Sequence, residues 1–347
     1  MNEEKMLYHV SGAPFVRSKI DTQRIMLDVL IALLPAFCVS VWQFGMAAVI
    51  RVAVSVVCCV FFEWAYRKLM KKDSTIHDLS ACVTGVLMVF CMPAGVPIFV
   101  VVLGSFFAIV LAKQLYGGIG KNFMNPALVG RALMMAGYAL FMTTWKVPTS
   151  LAGVVDGTTM ATPLGALYGG TAADMPAYFT LGNLFLGKIP GCMGEISTLA
   201  LLIGGAYLLF RGVISWRIPG TFIGTVAVLT LLFGREGYGN VEWMLYNLCS
   251  GGLMLGAFFM ATDYCTSPVT PNGQLVFGVG CGILTVLIRY FGGYPEGVSY
   301  AILIMNLLTW AIDKATPQRQ FGVSREELKA AKDAKKAEKK AAKEAQA

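Results

Sequence analysis

Charge is scarce in this chain. Only 14% of its 347 residues are Asp, Glu, Lys or Arg, against roughly 25% in a soluble domain, and 56% are hydrophobic. That balance excludes water as the main solvent. Histidine is nearly absent: His9 and His77 are the only two, both near the ends of apolar stretches, which argues against a haem or metal held by histidine in an apolar interior. The nine cysteines include no C-x-x-C pair, so an iron–sulfur cluster or other metal held by this chain alone is not expected. Small apolar fillers describe most of these thiols. A redox cofactor, if there is one, is organic or shared with another subunit.

What is present is apolar length. A bilayer core of about 30 Å takes roughly 20 mostly apolar residues per helix. Ten stretches qualify or come close: 24–43, 46–67, 79–93, 97–114, 126–145, 196–211, 218–234, 246–262, 274–291 and 296–313. The expected class is therefore an all-α integral membrane protein of about ten transmembrane helices. The stretches 79–93 and 196–211 are short and bounded by Gly or Pro, a pattern found in discontinuous helices near binding sites. The first apolar stretch follows Glu3, Glu4, Lys5, Arg17, Lys19 and Arg24 with no small-residue cleavage site, so it reads as a retained helix.

Basic residues set the expected orientation. They gather at the N-terminus, at Arg67, Lys68, Lys71 and Lys72, at Lys113 and Lys121, at Arg211 and Arg217, and in the C-terminal tail. The alternate loops carry few or mixed charges. With an even number of spans, both termini lie in the cytoplasm. The organisation is then a cytoplasmic segment 1–22, five helices in 23–145, an extracytoplasmic loop 146–195, five helices in 196–317, and a basic cytoplasmic tail 318–347. The net charge of +8 raises nucleic acid as a partner, but its placement opposes that: residues 324–347 hold eight Lys or Arg and five Asp or Glu in an Ala-rich run. Such a run is a solvated helix or tail, or a contact for anionic membrane lipid.

The two sets of five helices share traces of repetition. Thr84-Gly85-Val86-Leu87-Met88 resembles Ser250-Gly251-Gly252-Leu253-Met254 at an offset of 166, and the helix openings 126–132 and 295–301 match at an offset of 169. Five is odd, so a second repeat would be inverted, an arrangement that frames sites near the midplane. It suits a transporter and a cofactor scaffold equally.

The loop contains Asp156-Gly157-Thr158-Thr159-Met160-Ala161-Thr162-Pro163. Read only as a turn-prone polar cluster, it needs no role beyond solubility. However, Asp156, Gly157, Thr159, Ala161 and Thr162 resemble the acceptor motif of flavin transferases, whose last Thr receives FMN through a phosphoester. Met160 departs from the small residue often found at its position. A Thr hydroxyl is a weak nucleophile needing outside activation, which the resemblance assigns to a separate transferase.

Further segments extend the likeness: Gly117 to Asn122 with Asn125 to Arg131, Pro190 to Ala200, Ser215-Trp216-Arg217, and Gly293 to Gly297. Together they resemble the D-type membrane component (RnfD) of Rnf ion-translocating electron transport complexes, and its relative, the B-type component of the sodium-pumping NADH:quinone reductase, over nearly all of residues 18–317. The resemblance implies a urea-transporter-like fold in two inverted five-helix repeats, covalent FMN on Thr162 and a second, non-covalent flavin such as riboflavin. It implies a relay of electrons between ferredoxin and NAD coupled to Na+ or H+ export in the cell membrane. Its partners would be the other Rnf subunits, including one with flavin on the outer face. Nicotinamide binding by this chain is not expected, since no Gly-rich fingerprint stands in a βαβ context.

Gly117, Gly118, Asn125, Pro126 and Arg131 form a candidate pocket for that second flavin or for a quinone, because glycines allow close approach and a helix N-terminus favours anions. Alternatively, Asn125 caps its helix and Arg131 snorkels to the interface. Asp28, Glu63, Asp263 and Glu296, with Asp313, are candidates for an ion path, placed near span ends where water is expected to reach them. Other functions compatible with the sequence are a small-solute transporter or channel without flavin, and a purely structural membrane protein.

Overall fold

The computed structural model describes residues 21–152, 159–169, 176, 178–235, 237–293 and 296–317. Asp156 and Gly157, the tail 318–347 and most of the N-terminal segment lie outside the described residues. Among those described, the chain is all helical, with two isolated β-bridges, Pro93 to Cys192 and Lys146 to Thr159, and no strand. The helices are α1 (Thr22–Phe44), α2 (Met46–Leu69), α3 (Ser80–Phe90), α4 (Ile98–Phe106), α5 (Pro126–Gly137), α6 (Ala139–Met142), α7 (Pro163–Gly169), α8 (Leu181–Leu186), α9 (Thr198–Phe210), α10 (Arg217–Leu232), α11 (Asn240–Cys249), α12 (Leu253–Leu255), α13 (Pro271–Phe291) and α14 (Val298–Ala315). Helix α4 runs on as a π-helix over Phe107–Gln114, and α12 over Gly256–Met260.

By length and composition α1, α2, α13 and α14 can each cross a membrane; α11 with the α12 stretch makes a fifth candidate, bent by 63°. The exposed side chains of α1 and α2 include Leu27, Ile31, Leu34, Val57 and Phe61, as expected where the solvent is lipid. Every one of the ten apolar stretches contains helix, but α3, α9 and α10 are shorter apolar helices of 10–17 residues, as is α4 with its π-helical extension.

Two breaks organise the centre. Helix α3 stops ahead of Pro93 and α4 starts after Pro97, because proline lacks the N–H that would continue the ladder. The carbonyls freed there are taken by a crossing segment: Met193 N donates to Met92 O at 3.0 Å and Gly194 N to Phe90 O at 2.9 Å. At the second break, Ser250-Gly251-Gly252 separates α11 from α12. Arg289 donates to Asn247 O at 2.7 Å and Ser250 O at 3.3 Å, and the Thr198 hydroxyl to Cys249 O at 3.2 Å. Backbone groups with no water nearby must find such partners.

The 166-residue offset joins unlike local structures, since Thr84–Met88 lies inside α3 whereas Ser250–Met254 spans the bend. The glycine pair at 251 and 252 is what makes the difference. Helix α2 packs on α3 and α4, α10 packs on α11 and α13, and α1 with α9 and α5 with α14 join the two sets. The main core takes buried residues from each of these helices except α11. A second core, formed by Leu167, Phe179, Leu184, Ile189, Ile196, Trp243 and Tyr246, lies under the loop helices α7 and α8.

Candidate functional site

Thr162 stands where the long loop turns into α7. Pro163 takes the first helical position, where its missing N–H is not needed. Thr162 Oγ1 accepts from Gly165 N at 3.1 Å and its carbonyl accepts from Ala166 N at 3.0 Å, which is N-cap geometry. The residue is half-buried and its hydroxyl donates to no acceptor among the described residues. The oxygen can therefore enter an ester without losing a donated hydrogen bond. Thr159 and Ala161 are exposed, and Met160 N ties this strip to Trp145 O at 3.1 Å.

Helix α7 is anchored from below. Leu164 and Leu167 are buried, and the Tyr168 hydroxyl donates to Asn247 Oδ1 at 2.7 Å. Burial raises the Tyr168 phenol above its ordinary pKa, against the opposing pull of Arg289, so it stays a donor. Arg235 donates to Leu167 O at 2.7 Å and lies over the rings of Tyr168 and Trp243, a cation–π arrangement.

Thr162 shares a narrow cleft with Ile189, Pro190, Cys192, Glu195, Gly251 and Glu296, among others. Behind this lining Arg131, from α5, donates to Glu296 and to Ser299 at the start of α14, and reaches Cys192 Sγ at 3.9 Å. Cys192 Sγ and an oxygen from each of Glu195 and Glu296 lie within 4.8 Å of one another, a donor set that a metal ion could use and that the sequence did not lead one to expect.

The five residues expected to form one pocket divide among three places. Asn125 and Pro126 line a larger cavity with Ser80, Lys113, Asn122, Phe258, Phe259 and Asp263. Asn125 also caps α5, accepting from Ala127 N at 3.0 Å, and donates to Met260 O at 3.2 Å. Gly117 and Gly118 take left-handed conformations in the turn after α4, where glycine avoids the Cβ clash, and do not line the cavity. Arg131 does not snorkel: it is 5% exposed and paired with Glu296.

The candidate ion-path acids are less wet than expected. Glu63 is fully buried, accepting from Lys113 Nζ at 2.7 Å and Thr75 Oγ1 at 2.6 Å; Lys113, counted above as a loop cation, is buried with it. Glu296 is 6% exposed. Asp28 pairs with Arg211 at 3.2 Å and accepts from Tyr207. Asp263 accepts from Thr266 Oγ1 at 3.1 Å, and Asp313 accepts from Val269 N at 3.1 Å. Sequence reasoning missed Cys192, Glu195 and Lys113 as site residues. For Cys192 and Glu195 the signal was there only as the segment Pro190 to Ala200, noted as a likeness and not for its chemistry, and Lys113 was noted only as a basic residue.

Residues 9–322 match the model of a family described as the NQR2, RnfD, RnfE family. The chain belongs to this family. Among its relatives, it is 46% identical to the D component of the Na(+)-translocating ferredoxin:NAD(+) oxidoreductase complex of Acetobacterium woodii, covering 94% of this chain and 98% of that one. It is 41% identical to the D component of the proton-translocating ferredoxin:NAD(+) oxidoreductase complex of Clostridium ljungdahlii, over 93% and 98%. It is 34% identical to the D component of the ion-translocating oxidoreductase complex of Aeromonas hydrophila, over 92% and 100%. Two of these family members are named for different ions, so membership alone does not choose between Na+ and H+.

Proposed function

We propose that this chain is the D-type membrane component of an ion-translocating ferredoxin:NAD+ oxidoreductase complex, and that it carries FMN in phosphoester linkage on Thr162. Family membership and the relatives' names support the first part. The second rests on the Thr162 hydroxyl, half-exposed at the rim of a cleft, accepting one backbone N–H and donating to nothing among the described residues, at the end of a segment that resembles a flavin-acceptor motif. When bound, FMN supplies one- and two-electron chemistry; the protein supplies position and electrostatics. Helix α7 fixes the attachment point through Leu164, Leu167 and Tyr168, and Arg235 adds a positive charge over the aromatic face beside it.

The proposal includes ten transmembrane helices in two inverted five-helix repeats of urea-transporter type, both termini in the cytoplasm and Thr162 outside. Support comes from the matched packing of α2 on α3 and α4 with that of α10 on α11 and α13, and from the cross-pairs α1 with α9 and α5 with α14. The larger cavity, walled by Phe258 and Phe259 with Asn122, Asn125 and Lys113 at its polar side, is our candidate for a second, non-covalent flavin such as riboflavin. Other subunits of the complex, a flavin transferase and membrane lipid complete the proposed partners.

The test is ultraviolet fluorescence of the chain after denaturing electrophoresis, with peptide mass analysis of residues 146–195, from cells that contain a flavin transferase. The expected result is a fluorescent band with FMN mass on Thr162. Thr162→Ala is expected to abolish the band and electron transfer while leaving membrane insertion unchanged. An unmodified, non-fluorescent native chain would overturn the flavin assignment and leave the D-type component reading to rest on family membership alone.

A further inference from the structure

Helix α2 ends in Arg67 and Lys68, with Lys71 and Lys72 just beyond. Along it Val57, Phe61 and Trp64 are exposed, and along α4 and the π-helical stretch that follows so are Phe106, Leu111 and Leu115. The two helices pack together, and Phe62 meets Phe106 edge-on with ring centroids 5.4 Å apart, so the two apolar stripes flank one seam. On a helix long and apolar enough to cross a membrane, such stripes face acyl chains. Lys68 Nζ lies 4.8 Å over the Trp64 ring, the pairing of aromatic and basic side chains found at headgroup level.

Where the seam ends, donors outnumber acceptors. Arg67 Nε donates to Asp73 O, and Nη1 stands 3.5 Å from Gln114 Oε1, at the limit of a hydrogen bond. The guanidinium makes no ion pair among the described residues. Gln114 is 1% exposed, yet its Nε2 meets no acceptor among the described residues. Both groups border one spot: a Cβ on Gly118 would stand 3.0 Å from Arg67 Nη1 and 3.9 Å from Gln114 Nε2. The left-handed φ of Gly118 suits glycine, and the missing Cβ leaves both donors uncovered. Lys121 lays its stem on Gly117 in the same turn. The nearby acids do not answer these donors, since Glu63 is held by Lys113 and Thr75, Asp78 by Ser80, and Asp73 offers its carbonyl. A buried amide donor beside an unpaired guanidinium calls for an acceptor that carries negative charge.

We propose that this seam binds one anionic phospholipid. Its phosphodiester, which accepts hydrogen bonds and donates none, takes them from Arg67 and Gln114 beside Gly118, while Lys68 and Lys121 add positive field and the acyl chains lie along Phe61, Phe106 and Leu111. Basic pockets between helices at the ends of spans take anionic headgroups in this way, and the arginine fork matches phosphate oxygens. Free phosphate offers the same oxygens but nothing to cover the apolar stripes. The site requires only that α2 spans the membrane; it stands whether or not Thr162 carries flavin.

The test is lipid retention by the native complex, purified in detergent with added phosphatidylglycerol or phosphatidylcholine and weighed by native mass spectrometry, which also reports whether the subunits stay assembled. The expected result is a phosphatidylglycerol that survives washing, is lost from Arg67→Gln, and is held about tenfold more weakly by Gln114→Leu, as for the loss of one hydrogen bond to a charged group. A second measurement needs no variant. On the native complex, phosphatidylglycerol with a photoreactive acyl chain is expected to label residues 57–64 or 106–115, and unlabelled phosphatidylglycerol to block the labelling where phosphatidylcholine does not. Equal blocking by phosphatidylcholine, blocking by the same concentration of inorganic phosphate, labelling confined to other segments, or unchanged retention in Arg67→Gln would each overturn the proposal.

Discussion

Glu63 and Lys113 form a buried ion pair whose two partners are each over nine-tenths shielded. Lys113 also donates to Ser80 Oγ at 2.6 Å, Ser80 donates to Asp78, and Thr75 donates to Glu63, so the charges are held by a network and not by one contact. Such a pair adds little over an apolar replacement, but removing one partner strands the other, at a cost of roughly 3–5 kcal/mol. Lys113→Met is therefore expected to destabilise the protein by about that amount in denaturant unfolding of the purified complex, since Glu63 is left uncompensated. The double variant Glu63→Leu with Lys113→Met is expected to regain most of the loss. Equal losses in the single and double variants would show that packing, not charge, holds this corner. Neither residue advertises the pairing in sequence: they are 50 positions apart, and Lys113 looks like any basic residue that follows an apolar run.

At the scale of helices, what was readable follows the physics of each signal. Long apolar runs and prolines marked the helices and the first break, because both act locally. The short helices α7 and α8 fell inside an expected loop; they have caps in Thr162 and Thr180, but helices this short depend on tertiary packing, here on the core around Trp243. The π-helical turns had no sequence signal, and the cluster of Cys192, Glu195 and Glu296 forms only where the chain folds the two breaks together.

Glycine packing gives a prediction of opposite signs. On α9, a Cβ at Gly204 would collide with the Ala32 carbonyl oxygen of α1, whereas Gly224 on α10 has open space around it. Gly204→Ala is expected to lower thermal stability by roughly 1–3 kcal/mol through overpacking. Gly224→Ala is expected to raise it, by up to about 1 kcal/mol, because alanine is the better helix former. Thermal unfolding of both variants in one detergent checks the pair; a stabilised Gly204→Ala would mean that α1 and α9 pack less closely than described.

For the whole molecule, the proposed role requires that the Thr162 loop and the basic turns face opposite sides. The α2 end carries Arg67 and Lys68 in its last turn beside Leu69, which is 81% exposed, and basic residues of this kind stay on the cytoplasmic side. Ala152, exposed near the start of the loop, belongs to the side of Thr162. With the native chain as background, Ala152→Cys is expected to react with a membrane-impermeant thiol reagent in intact cells, and Leu69→Cys only after lysis. The reverse pattern would put Thr162 on the cytoplasmic side, and the electron partner of the proposed flavin would then be a cytoplasmic protein. The same two measurements therefore decide to which compartment the cleft beside Thr162 opens.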